Sequence, residues 1–246
     1  MSNGFWIAPS VTGEIVRVCG VPKTFSLLGY SLDRSGLEGS VCCVPAFRFS
    51  VDGQRQLLPL EEIKASLDRI LTQAPAESKF KMLPFFVGGD AKSWHASLVD
   101  QLTHSISLPK GWEPTRTNPV VGIIGGRELD EGNSKQLVNF VARATDKLIG
   151  RTTLIRPGTT FNPVYEQLEV FAKSRSYDIR TVVASWDTYG RAAYQILNYD
   201  LLYRCDYFIL VNDGSAESVH MKDICQRFSL PFRLLEPNNH KEIKYA

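Results

Sequence analysis

Short apolar runs alternate with amphipathic stretches of helical period along most of this chain, and the alternation starts twice. Residues 14–19 (EIVRVC) and 41–44 (VCCV) read as short strands. Leu60, Ile63, Leu67 and Ile70 then recur at helical spacing with charges between them. Residues 80–87 (FKMLPFFV) read as a strand that Pro84 pushes toward a sheet edge, and Gly88-Gly89-Asp90 breaks it. Trp94, Leu98 and Leu102 share the face of a second helix.

After residue 119 the pattern begins again. Strand-like runs at 120–124 (VVGII), 152–155, 181–184, 207–211 (YFILV) and 232–235 are separated by helical stretches at 134–149, 163–174, 192–203 and 215–228. Strands separated by helices of this length imply βαβ units and a mainly parallel sheet. The expected fold class is α/β: two three-layer modules with mainly parallel sheets. Residues 108–119 (LPKGWEPTRTNP) are rich in proline and read as a linker, which places the domains at 1–113 and 119–246.

Charge narrows the function classes. The chain carries 28 basic and 26 acidic residues, a net +2, and a cut near residue 116 leaves each part at +1. A duplex-binding domain carries a concentrated basic stripe to neutralise phosphates, and neither part has one, so nucleic acid is not the expected partner. The five cysteines, Cys19, Cys42, Cys43, Cys205 and Cys225, contain no CxxC and fit neither a disulfide framework nor a zinc site. No metal or cofactor is implied. Residues 1–10 lack the basic start and apolar core of a signal peptide, and no apolar run reaches the roughly 20 residues that span a bilayer. The expectation is a cytoplasmic protein without membrane contact.

Ligands of open parallel sheets bind at the carboxyl ends of the strands, where loops meet helix N-termini. In the second part those loops are distinctive. Gly125, Gly126 and Arg127 follow the first strand: glycines let a ligand approach the backbone, and an arginine pairs with phosphate or carboxylate. Thr159 and Thr160 offer hydroxyls after the second. Trp186, Tyr189 and Gly190 follow the third and supply aromatic faces for a ring; Asp213, Gly214 and Ser215 follow the fourth and open a helix. Together they suit a nucleotide-sized ligand.

The same residues carry a resemblance. Residues 121–129 (VGIIGGREL), 185–198 (SWDTYGRAAYQILN) and 206–221 (DYFILVNDGSAESVHM) resemble, over nearly all of 120–236, the SLOG superfamily in its branch related to YspA. That resemblance implies a Rossmann-like fold whose loop edge binds nucleotides or their derivatives, and it adds Asn198 to the ligand-binding set. Better-known members are the DNA-processing DprA proteins and the LOG enzymes, which cleave an N-glycosidic bond in cytokinin riboside monophosphates. The chain also departs from the family. Its second loop reads Arg156-Pro157-Gly158-Thr159-Thr160 instead of a glycine-rich phosphate cradle, and Leu197 stands where the family has arginine. Glu217 puts a negative charge in the first turn of the last helix, which suits the helix dipole but repels a phosphate placed there.

In the first part, Gly36, Gly39, Gly88 and Gly89 lie in short motifs similar in order to phage-associated domains of macro-like type, α/β units associated with ADP-ribose and related ligands. This makes Gly88 and Gly89 candidates for ligand contact and is compatible with a phage-encoded origin. His95, beside Trp94, reads either as catalytic or as a packed core histidine, and His220 as a structural residue inside the last helix.

The leading expectation is a protein that senses or sequesters a nucleotide-derived small molecule, such as an ADP-ribose derivative or a cyclic-nucleotide signal. The alternative is an N-glycosidase-like hydrolase of a nucleoside or nucleotide, with Glu217 and Asp213 as catalytic carboxylates. A homodimer is compatible with either, because related folds pair through helices.

Overall fold

The structure, a computed structural model, describes residues 5–12, 36–38, 41–50, 52, 54–75, 77–83, 85, 90–100, 102, 104–126, 129, 131–158, 163–237 and 241–245. Of the sequence readings, the strand at 14–19 and Cys19, Gly39, Pro84, Gly88, Gly89, Arg127, Thr159 and Thr160 lie outside the described residues. The chain divides into two compact units, Met1–Pro109 and Lys110–Ala246. Both are mixed α/β units with mostly parallel sheets, of Rossmann-like kind.

In the first unit, β1 (Phe5–Thr12), β2 (Gly36–Glu38), β3 (Val41–Phe49), β4 (Arg55–Leu57), β5 (Lys79–Met82) and β6 (Ser105–Ser107) form one sheet in the order β2-β3-β1-β5-β6, with β4 also on β3. The β1–β3, β1–β5 and β5–β6 pairs are parallel. Helix α1 (Leu60–Leu71) has acidic Glu61 and Glu62 in its first turn and Arg69 in its last, as the macrodipole favours, and it buries Ile63, Leu67, Ile70 and Leu71. Those side chains join Ile7, Val44, Phe80 and Met82 from the strands in one core. Helix α2 (Ala91–Val99) buries Leu98 there too.

Two readings shift. The strand read from 41–44 runs on through Pro45 to Phe49, with a register break opposite, between Ser10 and Val11. β5 ends at Met82, short of Pro84, and so lies between β1 and β6 instead of at an edge.

The second unit holds β7 (Val120–Ile124), β8 (Thr153–Pro157), β9 (Asp178–Val182), β10 (Tyr207–Val211), β11 (Phe232–Glu236) and β12 (Lys241–Tyr245) in the order β12-β11-β10-β7-β8-β9. All pairs are parallel except β11–β12. Helices α3 (Glu131–Thr145) and α4 (Pro163–Ser174) pack Leu137, Phe140, Val141, Leu168 and Ala172 against Val121, Ile123, Ile209 and Val211, alternate residues that share one sheet face. A short turn, α5 (Trp186–Tyr189), leads through 190–192 into α6 (Ala193–Leu201), which packs on α7 (Ala216–Arg227).

β9 begins three residues before the apolar run 181–184 and ends two before its end, because an edge strand buries little and its sequence (DIRTV) alternates weakly. β12, charged and at the opposite edge, carries no apolar signal.

The segment read as a linker is docked. Lys110–Trp112 form a 3₁₀ turn whose Trp112 Nε1 donates to the Phe228 carbonyl at 2.7 Å, while Lys110 Nζ lies 2.8 Å from the buried Asp206 carboxylate. A buried indole with a satisfied N–H outweighs the loop-forming prolines around it. No helix among the described residues is long and apolar enough to cross a membrane.

Candidate functional site

The strand order of the second unit reverses at β7. The chain goes from β7 outward to β8 and β9, then returns to place β10 on the other side of β7. The carboxyl ends of β7 and β10 therefore diverge into loops whose helices lie on opposite sheet faces, and this is the crevice where open α/β sheets receive ligands. Gly125 and Gly126 follow β7, and Asn212, Asp213, Gly214 and Ser215 follow β10.

Backbone geometry dictates the glycines. Gly125 and Gly126 have φ of +88° and +91°, and a Cβ on Gly125 would stand 2.4 Å from the Val211 carbonyl oxygen. The Gly125 carbonyl accepts a hydrogen bond from Tyr165 of α4 at 3.0 Å, and the Gly126 amide donates to Asp213 Oδ2 at 2.7 Å. The other carboxylate oxygen, Oδ1, accepts from the Ser215 amide (3.1 Å), the Ser215 hydroxyl (2.7 Å) and the Ser218 hydroxyl (3.0 Å). Partial burial works against the charge, but the Ser215 hydroxyl, the Ser215 and Gly126 amides and the Ser218 hydroxyl together hold the Asp213 carboxyl below its ordinary value. Asp213 is thus a fixed anion that ties the loop after β7 to the start of α7. Ser215 caps α7, its hydroxyl accepting from the Ser218 amide.

The other candidates fall into two groups. Trp186 is 43% exposed and sits edge-on to Tyr194 at 4.9 Å; Tyr189 is half-buried, and Gly190 and Gly214 are exposed, with no heavy atom within 4 Å of where a Cβ would stand. These residues face outward along the loop edge. Glu217 and Asn198 are buried. Asn198 Nδ2 donates to the Glu217 carbonyl at 3.1 Å and lies 3.1 Å from His220 Nδ1, which joins α6 to the first turn of α7. Burial lowers the His220 pKa, with Asp223 opposing and Arg227 adding to the shift.

In the first unit, His95 is fully buried between Trp94 and Phe85. Its Nδ1–H donates to the Ala91 carbonyl at 2.6 Å and its Nε2 accepts from the Phe85 amide at 2.8 Å. That pairing requires the neutral ring, and burial pushes the pKa down to about 4 against the weaker opposing pull of the Ala91 bond. His95 is a staple between the segment after β5 and α2.

Tyr165, Ser218 and Arg156 were not legible as site residues. The Arg156 guanidinium stacks 4.5 Å from the Tyr165 ring and bonds Glu169 at 3.0 Å, which steadies the tyrosine that holds Gly125. Only Ser218 left a trace in the sequence, the Ser-x-x-Ser spacing of a helix cap. Among the described residues no group of three or more His, Cys, Asp or Glu is placed to hold a metal ion. No family model matches the chain, and no curated protein or solved structure matches it.

Proposed function

We propose that the second unit binds a nucleotide-derived small molecule along the carboxyl edge of its sheet, as a sensor or sequestering protein. The observation that carries this reading is the reversal of strand order between β7 and β10, with a loop opened by two positive-φ glycines and a helix start on its two sides. Around it, the exposed Trp186 offers a face to a ring, and the exposed Gly190 and Gly214 let a ligand reach the backbone.

Asp213 and Glu217 set the orientation. The negative charges of Asp213 and the buried Glu217 at the start of α7 disfavour a phosphate there. The phosphates then belong with Arg127, Thr159 and Thr160, and the ring with Trp186 and Tyr189. An ADP-ribose derivative or a cyclic nucleotide carries all of these groups. The macro-like resemblance would give the first unit a ligand of the same class near Gly88 and Gly89.

Hydrolysis ranks second. Asp213 already accepts four hydrogen bonds and is held anionic, which makes it a poor acid or base, so the enzyme reading rests on Glu217.

Isothermal titration of the full chain against a panel of nucleotides, cyclic nucleotides and ADP-ribose tests the proposal. Binding is expected, and Trp186→Ala weakens it about tenfold, because stacking on an aromatic ring contributes roughly 1–3 kcal/mol per base. No heat from any member at millimolar concentration overturns it. Chromatography of the ligand after incubation separates binding from hydrolysis: an unchanged parent compound supports the sensor.

A further inference from the structure

A second feature lies away from the loop edge. Helices α3 and α4 run side by side in the same direction, since each follows a parallel strand and packs on the same sheet face. Their outward sides enclose a groove of about 580 Å³. Val138, Val170 and Phe171 are its apolar lining, and Val170 is 68% exposed, the most exposed large apolar side chain among the described residues. Single exposed apolar residues are ordinary; here Val170 is joined by Val138 and Phe171 in one apolar strip between the two helices, flanked by charged side chains.

The charges along the groove differ from end to end. At its C-terminal end, Asp146 just after α3 and Arg175 just after α4 face each other at 3.7 Å within the same chain. At its N-terminal end, Lys135 of α3 and Glu166 of α4 line the two sides, and neither pairs with another described residue.

We propose that this face is where two copies of the chain pair, about a two-fold axis running along the helices. Such an axis lays α3 of one copy against α4 of the other and keeps the two at the same height. Each Lys135 then meets Glu166 of the partner subunit, and each Val138 meets Val170 of the partner subunit. A surface with one cation and one anion on opposite sides of an apolar strip is complementary to itself under that operation, so a second copy supplies both missing counter-charges at once. The inference is independent of the ligand reading, because none of these side chains belongs to the loop-edge set.

Sedimentation of the full chain tests it. The wild-type chain is expected to sediment as a dimer at about 50 µM, with a dissociation constant in the micromolar range. Lys135→Glu and Glu166→Lys should each weaken the dimer at least about tenfold, and the double exchange should recover most of that loss. Val170→Asp should leave monomer only. All three positions are exposed or flank the groove, so circular dichroism should stay unchanged. A wild-type monomer overturns the proposal. So does a double exchange that is no tighter than the single ones, or a dimer indifferent to Val170→Asp.

Discussion

Both units tie down a loop near the carboxyl edge of a parallel sheet with one polar side chain, and they do so with opposite chemistry. In the first, His95 binds the Phe85 amide only ten residues away, as a neutral ring. In the second, Asp213 binds the Gly126 amide across 87 residues of sequence, as a charged carboxylate. The first tether is local and fastens one connection to its own helix. The second joins the loops of two adjacent strands, and those loops form the walls of the crevice. A local staple stabilises; a long-range one also shapes a site.

The sharpest way to break the comparison is to remove the loop that Asp213 holds. Gly125→Ala places a Cβ within 2.4 Å of a backbone oxygen at a φ of +88°. Overpacking and backbone strain together should cost about 3–5 kcal/mol. Hydrogen exchange resolved by peptide should show β7, β10 and α7 losing protection while α1 and β3 keep theirs. Equal loss in both units would mean that they do not unfold separately.

Acid separates the tethers next. The folded first unit refuses a proton at His95 until about pH 4, whereas the unfolded chain accepts it near 6.5. Between those values the unfolded state binds more protons, so stability is full above pH 6.5 and falls as pH drops toward 4, by about 3 kcal/mol in all. Asp213 works in the same direction in a lower window: its contribution is full above the ordinary carboxylate range and is lost as pH falls from there toward its lowered folded value. His220, held down by burial, gives the second unit a smaller loss of the first kind. At pH 5, exchange corrected for intrinsic rate should rise in β5 and α2 before it rises in β7 and α7. His95→Leu should remove that pH slope and lower stability at pH 7 by about 2 kcal/mol, since the buried Phe85 amide loses its acceptor.

The same contrast explains what the sequence could disclose. Periodicity places α1 and α4 at their observed bounds, because Ile63, Leu67 and Leu168 are buried by the spacing that identifies them. The βαβ alternation leads to the parallel sheet, and the glycines after β7 and the serine opening α7 mark the crevice. Central β1 escaped, since Pro9 and Ser10 interrupt its apolar start. The tethers escaped for a different reason. Nothing local distinguishes a histidine that staples a loop from one that performs chemistry, or says that Tyr165 reaches Gly125 across 40 residues. Those roles exist only once the strands are paired.

The mildest test is also the most specific. Asp213→Asn keeps one carbonyl oxygen and replaces the other with an N–H₂ group that points at an existing donor, either the Gly126 amide or the Ser215 amide and hydroxyls. Whichever way the amide turns, one side of the tether is lost and two donors oppose each other. Hydrogen bonds to a charged group contribute about 1.5–3 kcal/mol net, and the surviving oxygen retains part of that, so urea unfolding should show a loss near 1–2 kcal/mol. Exchange should place the loss at the start of α7 and the end of β7, with β5 and α2 unchanged. Because Ser215 still caps α7, the helix should remain while the two loops separate. A variant as stable as the wild type, with the same exchange at Gly126, would show that glycine geometry alone holds the crevice and would remove the carboxylate from the comparison.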